Sequence, residues 1–168
     1  GVRVHHRFMD YKKDSVRVSI SLAGGAIEET GDNVGVTQVG GLAVNEAATT
    51  RLTSTNFRDI MTGKNISVRG GGGGDSFAIT VSGSPEDLDI GMQAAHALLM
   101  DGKLEESAFK NWKLSTLRRI EALEKMPQFR AIQAMQNLLT GDDPRRPFLN
   151  REEVEALSVE AGQLWFSR

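Results

Sequence analysis

Apolar and polar residues alternate strictly from Ser15 to Leu22, with Val16, Val18, Ile20 and Leu22 facing one way and Ser15, Arg17, Ser19 and Ser21 the other. A period of two predicts a strand with one buried face. Val2, Val4 and Phe8 predict an earlier strand, and the polar stretch from Asp10 to Asp14 its turn, so an opening hairpin is expected. Gly24-Gly25 ends the second strand. Small, helix-compatible residues then run from Asn33 to Thr50, and Ser54 or Thr55 is placed to cap a short helix that reaches Met61 and closes at Gly63. Ile66 and Val68 alternate on one side of Gly70 to Gly74, and Phe77, Ile79 and Val81 on the other, which predicts a second hairpin with a glycine-rich connection.

The second half of the chain is helical in period. Ser84-Pro85-Glu86-Asp87 supplies a cap, a proline at the first helical position and acids at the positive end of the dipole. Leu88, Met92, Ala95 and Leu99 follow on one face, and Gly102 is the stop. A long helix is expected from about Glu105 to Lys125, with Phe109, Trp112, Leu117, Ile120 and Leu123 as its apolar stripe. Pro127 separates it from a helix carrying Phe129, Ile132, Met135 and Leu139. Gly141 to Pro147 reads as a turn-rich loop, and Glu152 to Phe166 as one or two closing helices. Two hairpins interleaved with helices predict an α+β fold: a two-layer sandwich, mostly antiparallel sheet with helices on one face, and a single domain over residues 1–168.

Composition narrows the possible chemistry. In 168 residues, 20 Lys+Arg against 22 Asp+Glu leave a formal charge of -2, so there is no basic field for nucleic acid. No apolar run approaches the ~20 residues of a spanning helix, so no membrane span is expected. Zero cysteine excludes disulfides and thiolate metal sites and leaves the compartment open. His5 and His6 are adjacent and point to opposite faces of a strand, while His96 reads as a partly buried helix residue; none has a partner at metal-ligand spacing. The run Gly70 to Gly74 precedes a strand rather than a helix, which argues against phosphate binding and for a loose hairpin edge along which an extended peptide could lie. Glu105-Glu106 and Glu152-Glu153 fall in first helical turns, where the macrodipole accounts for them.

The order of these features carries a resemblance. The strand Val16 to Leu22 ends in Ala23-Gly24-Gly25, and the next helix opens with Asp32-Asn33-Val34-Gly35-Val36-Thr37. Pro85-Glu86-Asp87-Leu88, the stripe from Phe109 to Ile120, Gly141-Asp142-Asp143-Pro144 and Arg146-Pro147 then follow in sequence. In this the chain resembles the first structural unit of a half-domain of the pitrilysin/insulinase family of zinc metallopeptidases, over essentially its whole length. The resemblance implies an inverted H-x-x-E-H zinc motif on the helix after the second strand, with a further glutamate ligand on the long helix. With the family's leading glycine on Gly35, the motif falls on Gln38-Val39-Gly40-Gly41-Leu42: Gln38 and Leu42 stand for the histidines and Gly41 for the base. The last ligand falls near Leu117, Arg118 or Arg119, with Arg118 as the central choice.

What this implies is a catalytically silent half of a zinc-dependent metalloendopeptidase. It would shape the peptide-binding chamber and pack on a catalytic half in the same or a companion chain, with zinc held by that partner and no cofactor in this segment. The alternative is a non-peptidase assembly or structural subunit of the same fold. Substrate contact is expected along the edge strand and the former motif helix, at Gln38, Asn45, Ile66, Val68 and Gly72. The start at Gly1 and the end at Arg168 suggest a fragment of a longer chain.

Overall fold

In the computed structural model, which describes residues 2–10, 12–141, 143 and 148–168, the alternating segment forms strand β1 (Val16–Ala23). Two short helices follow, α1 (Val36–Gly40) and α2 (Leu42–Asn45), then α3 (Ser54–Met61). The hairpin β2 (Ile66–Gly72) and β3 (Ser76–Gly83) comes next. The remainder is helical: α4 (Leu88–Asp101), α5 (Glu106–Glu124), α6 (Pro127–Thr140), α7 (Arg151–Ala156) and α8 (Val159–Phe166).

The sheet is antiparallel in the order β1-β3-β2. Its register places Val18 and Val68 opposite Val81, and Ile20 opposite Ile79. Alternation therefore gathers Val18, Ile20, Ile66, Phe77, Ile79 and Val81 on one face, against Val44 of α2 and Ala94, Ala95 and Leu98 of α4. The other face carries Arg17, Ser19, Ser21, Ser67, Arg69, Thr80 and Ser82, all exposed or half-buried. This is the expected two-layer α+β arrangement. A second core lies between α1, α5 and α7, around Val39, Leu104, Ile120 and Val154, and the side chains of Trp165 and Phe166 pack against both.

The expected opening hairpin does not form. Residues 2–10 have no regular structure, and Val2, Val4 and Phe8 are 92%, 85% and 82% exposed. Two causes are physical. His6 falls where the alternation of Val2, Val4 and Phe8 demands an apolar side chain, and β1 gains eight residues of register with β3, a match the short segment cannot offer.

Smaller corrections follow the same logic. Thr53, rather than Ser54 or Thr55, caps α3 by accepting from the Asn56 N–H at 3.3 Å. The innermost face of α4 is Gly91, Ala94, Ala95 and Leu98, with Leu88, Met92 and Leu99 on its flanks. A Cβ on Gly91 would lie 2.7 Å from both Ile66 and Val81, so this helix approaches the sheet on its smallest residues. His96 is exposed rather than partly buried. The expected start of α4 is present, with Ser84 accepting from the Glu86 N–H and Pro85 opening a single helical turn. Asn150 and Glu153 form a capping box at α7. Most of the turn-rich segment 141–147 lies outside the described residues.

Central and terminal residues should therefore differ sharply in their contribution. Ile79→Ala, at 0% exposure, is expected to cost about 2–5 kcal/mol in urea unfolding. Val4→Ala should stay within about 0.5 kcal/mol of the parent. A Val4→Ala cost near that of Ile79→Ala would show that the N-terminal segment is part of the sheet.

Candidate functional site

The residues at the motif positions sit on α1 and α2, and the local sequence explains why these helices form there. Gly35 adopts a left-handed conformation, φ 86°, as the residue before α1. The Glu29 carboxylate accepts from the Gly35 N–H at 2.8 Å and the Thr37 N–H at 3.0 Å, satisfying donors that the helix start leaves unpaired. The acid pair Glu28-Glu29 thus includes a helix cap supplied from six to eight residues upstream. Glu105 has a comparable role in trans: its carboxylate accepts from the Ser54 hydroxyl at 2.5 Å and from the Ser54 N–H at 3.3 Å, at the start of α3.

Glycines bring these helices unusually close to their neighbours. A Cβ on Gly72 would stand 2.3 Å from the Thr37 methyl, and one on Gly70 would stand 2.8 Å from the Val44 Cβ and 2.9 Å from the Phe77 ring. Two members of the glycine run therefore lie in β2 as packing positions, with α1 and α2 seated on the strand backbone; the expected loose connection shrinks to Gly73–Asp75. Gly71 and Gly74 have nothing within 4 Å of a built Cβ. On the opposite side, a Cβ on Gly40 would meet the Trp165 ring at 2.2 Å and one on Gly162 would meet Val39 at 2.3 Å, so α8 and α1 are matched glycine to side chain in both directions. Trp165 also makes an edge-on contact with Phe77 at 5.5 Å between centroids. No sequence period marks Trp165 as the clamp on this helix.

The candidate residues divide between two places. Gln38 is exposed on α1 and lines a small cavity of about 40 Å³ with Thr116, Arg119, Ile120 and Leu123 of α5, beside Phe129 of α6. Of the motif positions Gln38 alone reaches this cavity, and on the long helix Arg119 rather than Arg118 lines it. Gly41 is buried at the break between α1 and α2, and Leu42 packs against the second core. This donor set does not fit a zinc ion: an amide, a residue without a side chain, an alkyl group and guanidiniums that cannot give up a proton. Among the described residues no three His, Cys, Asp or Glu side chains are grouped closely enough to hold a metal. The Glu121 carboxyl is held below its ordinary value, and the Lys125 ammonium above its own, by their mutual 2.8 Å hydrogen bond and then by their charges; neither lines the cavity.

Asn45, Ile66 and Val68 come together in a separate groove of about 310 Å³ between β2, α2 and α3, with Phe57 and Met61 also lining it. Gly72 lies further along the same strand. The Asn45 side chain is already engaged: its Nδ2 donates to the Gly70 carbonyl at 2.8 Å and its Oδ1 accepts from the Gly70 N–H at 3.0 Å. It occupies the outer edge of β2 at one residue, as a neighbouring strand would. Alternation directs the backbone groups of Val68 and Gly72 to that same edge.

No family model matches the sequence, and no curated protein matches it either. Solved structures do match the fold. The periplasmic protease PqqL from Escherichia coli superposes with a TM-score of 0.71 at 11% identity, over 93% of this chain and 17% of that one. A protease from Helicobacter pylori gives 0.71 at 13% identity, over 94% of this chain and 38% of that one. A mutant of the ferredoxin protease FusC, in complex with Arabidopsis ferredoxin, gives 0.69 at 11% identity, over 92% of this chain and 17% of that one. The chain thus spans well under half the length of these proteases. At such identities the likeness concerns the fold, which is the α+β fold of pitrilysin-like proteases.

The glycine contacts generate a paired prediction. Gly72→Ala must displace Thr37 and is expected to cost about 1–3 kcal/mol. Gly71→Ala, with open space around its Cβ, should be neutral or stabilise by about 0.4–1 kcal/mol through the unfolded chain. Thermal unfolding of the two variants against the parent distinguishes them, and equal effects would remove the case for helix-on-strand packing.

Proposed function

We propose that this chain is the catalytically silent half of a zinc-dependent metalloendopeptidase, shaping the chamber that holds peptide and packing on a catalytic half that carries the zinc. The observation that carries this reading is the donor set at the motif positions. Gln38, Gly41 and Leu42 span the pair α1 and α2, of which α1 meets the long helix at Gln38, in a fold shared with proteases, yet they offer no ligand set and no general base.

What the segment can still do is hold a chain by its backbone. The outer edge of β2 carries the amide and carbonyl groups of Val68, beside a groove roomy enough for side chains, and those of Gly72 further along, which suits strand addition by an extended peptide. Main-chain bonds would supply affinity with little sequence preference, and the groove lined by Phe57, Met61 and Ile66 would favour an apolar side chain. The Asn45 amide competes at the middle of that edge, so a docked strand either displaces it or pairs on both sides of it.

Purified chain is expected to hold no stoichiometric zinc by metal analysis after dialysis against the metal, and to leave unstructured peptides uncut. A tightly held, chelator-sensitive zinc or unaided cleavage would overturn the reading. Added extended peptide should slow hydrogen exchange at Val68 and Gly72 several-fold and leave the β3 amides unchanged. Asn45→Ala should strengthen that protection.

A further inference from the structure

The two faces of β2 differ in charge, and the difference bears on which peptide its edge accepts. Ile66 and Val68 turn toward the helices, while Ser67 and Arg69 lie on the open face of the sheet. Register sets Arg69 opposite Thr80 and Thr80 opposite Ser19; one row along, Ser67 stands opposite Ser82 and Ser82 opposite Arg17. The three strands contain no Asp or Glu, and their two charged residues, Arg17 and Arg69, are both exposed on this face. Among the described residues no protein group pairs with the Arg69 guanidinium. The groove on the helix side is balanced by contrast, with Arg58 and Glu46 both lining it.

A strand added at the edge puts each of its side chains on the face of the β2 residue it stands opposite. Val68 directs its amide and carbonyl outward, so the residue that exchanges bonds with it sends its side chain to the groove lined by Phe57, Met61 and Ile66. In an antiparallel strand the neighbouring residue then falls opposite Arg69 in the closer, non-bonded kind of pair, with Cα atoms about 4.5 Å apart. A carboxylate at that place meets a guanidinium with no competing acid on the same face, whereas an ammonium meets a like charge.

We propose that Arg69 is a specificity-determining residue of the β2 edge, selecting extended peptides in which an aspartate or glutamate adjoins the apolar residue seated in the groove. The inference rests on the strand-addition reading above and adds to it a side-chain preference at one position. Because Arg69 is exposed, its pair with the peptide is screened, and the preference amounts to about two- to five-fold in affinity.

The test uses the chain itself and three threonine-rich extended peptides, identical except on either side of a single central leucine, where one carries glutamate, one glutamine and one lysine. Hydrogen exchange at the Val68 amide is followed against peptide concentration at physiological salt. The glutamate peptide is expected to reach half-protection at about two- to five-fold lower concentration than the glutamine peptide, and the lysine peptide to need the most. Arg69→Gln should bring the three together, and Arg69→Glu should reverse their order. Arg17→Gln, two strands away on the same face, should leave the order in place, which separates a direct contact from the general charge of the face. Equal protection by the three peptides, an order that survives Arg69→Gln, or an order lost equally in Arg17→Gln would overturn this inference and leave the strand-addition reading standing. No protection of Val68 by any of the three would overturn both.

Discussion

The structure depends on how closely α1 and α2 approach their neighbours. Strand β2 gives up side chains at Gly70 and Gly72 so that Thr37 and Val44 can rest on its backbone, and α8 gives one up at Gly162 so that Val39 can do the same. Trp165 fills the space that Gly40 leaves, reaches Phe77 of the sheet, and so links the two cores through one side chain. Close packing of this kind is unforgiving, because the atoms that an added methyl would meet under 3 Å belong to short, branched or ring side chains with no flexible tip to turn aside. Short helices of five and four residues would not persist on their own propensity; tertiary contact and the Glu29 cap hold them.

That arrangement bears directly on chemistry. Helices anchored by packing on three sides hold their place by contact alone, and along them Gln38, Gly41 and Leu42 offer an amide, no side chain and an alkyl group. Thr37 is buried with its methyl turned to the β2 backbone at Gly72, and its hydroxyl has no hydrogen-bond partner among the described residues. Between α1 and the long helix lies a cavity of about 40 Å³, room for one or two water molecules.

Much of the fold was legible because local rules and tertiary structure agree. The alternation in β1, the β2–β3 hairpin and the Ser84-Pro85 helix start each follow from spacing or from a cap that acts within a few residues. What escaped reading acts across long separations. Nothing local tells β1 to pair with β3 rather than with Val2 to Phe8, because the choice is made by register sixty residues away. The glycine run reads as looseness until the helix that presses on Gly70 and Gly72 is in place. Of the site, the separation of Gln38 from Asn45, Ile66 and Val68 into two different hollows was not legible, because it depends on which helices flank β2 and α1 in space.

Asn45 joins these strands of argument. An edge strand with free backbone groups invites pairing with any extended chain, and natural sheets blunt such edges. Here one side-chain amide matches the donor and acceptor of Gly70 and does so at the residue where α2 presses closest, so the blunting is tied to the same contact that holds the fold. Val68 and Gly72, two residues to either side of Gly70, direct their backbone groups to the same outer edge. Were a strand to add at this edge, as proposed, it would have to contribute enough bonds at both ends to outweigh one good amide pair in the middle, a condition that a long extended peptide meets better than a short one.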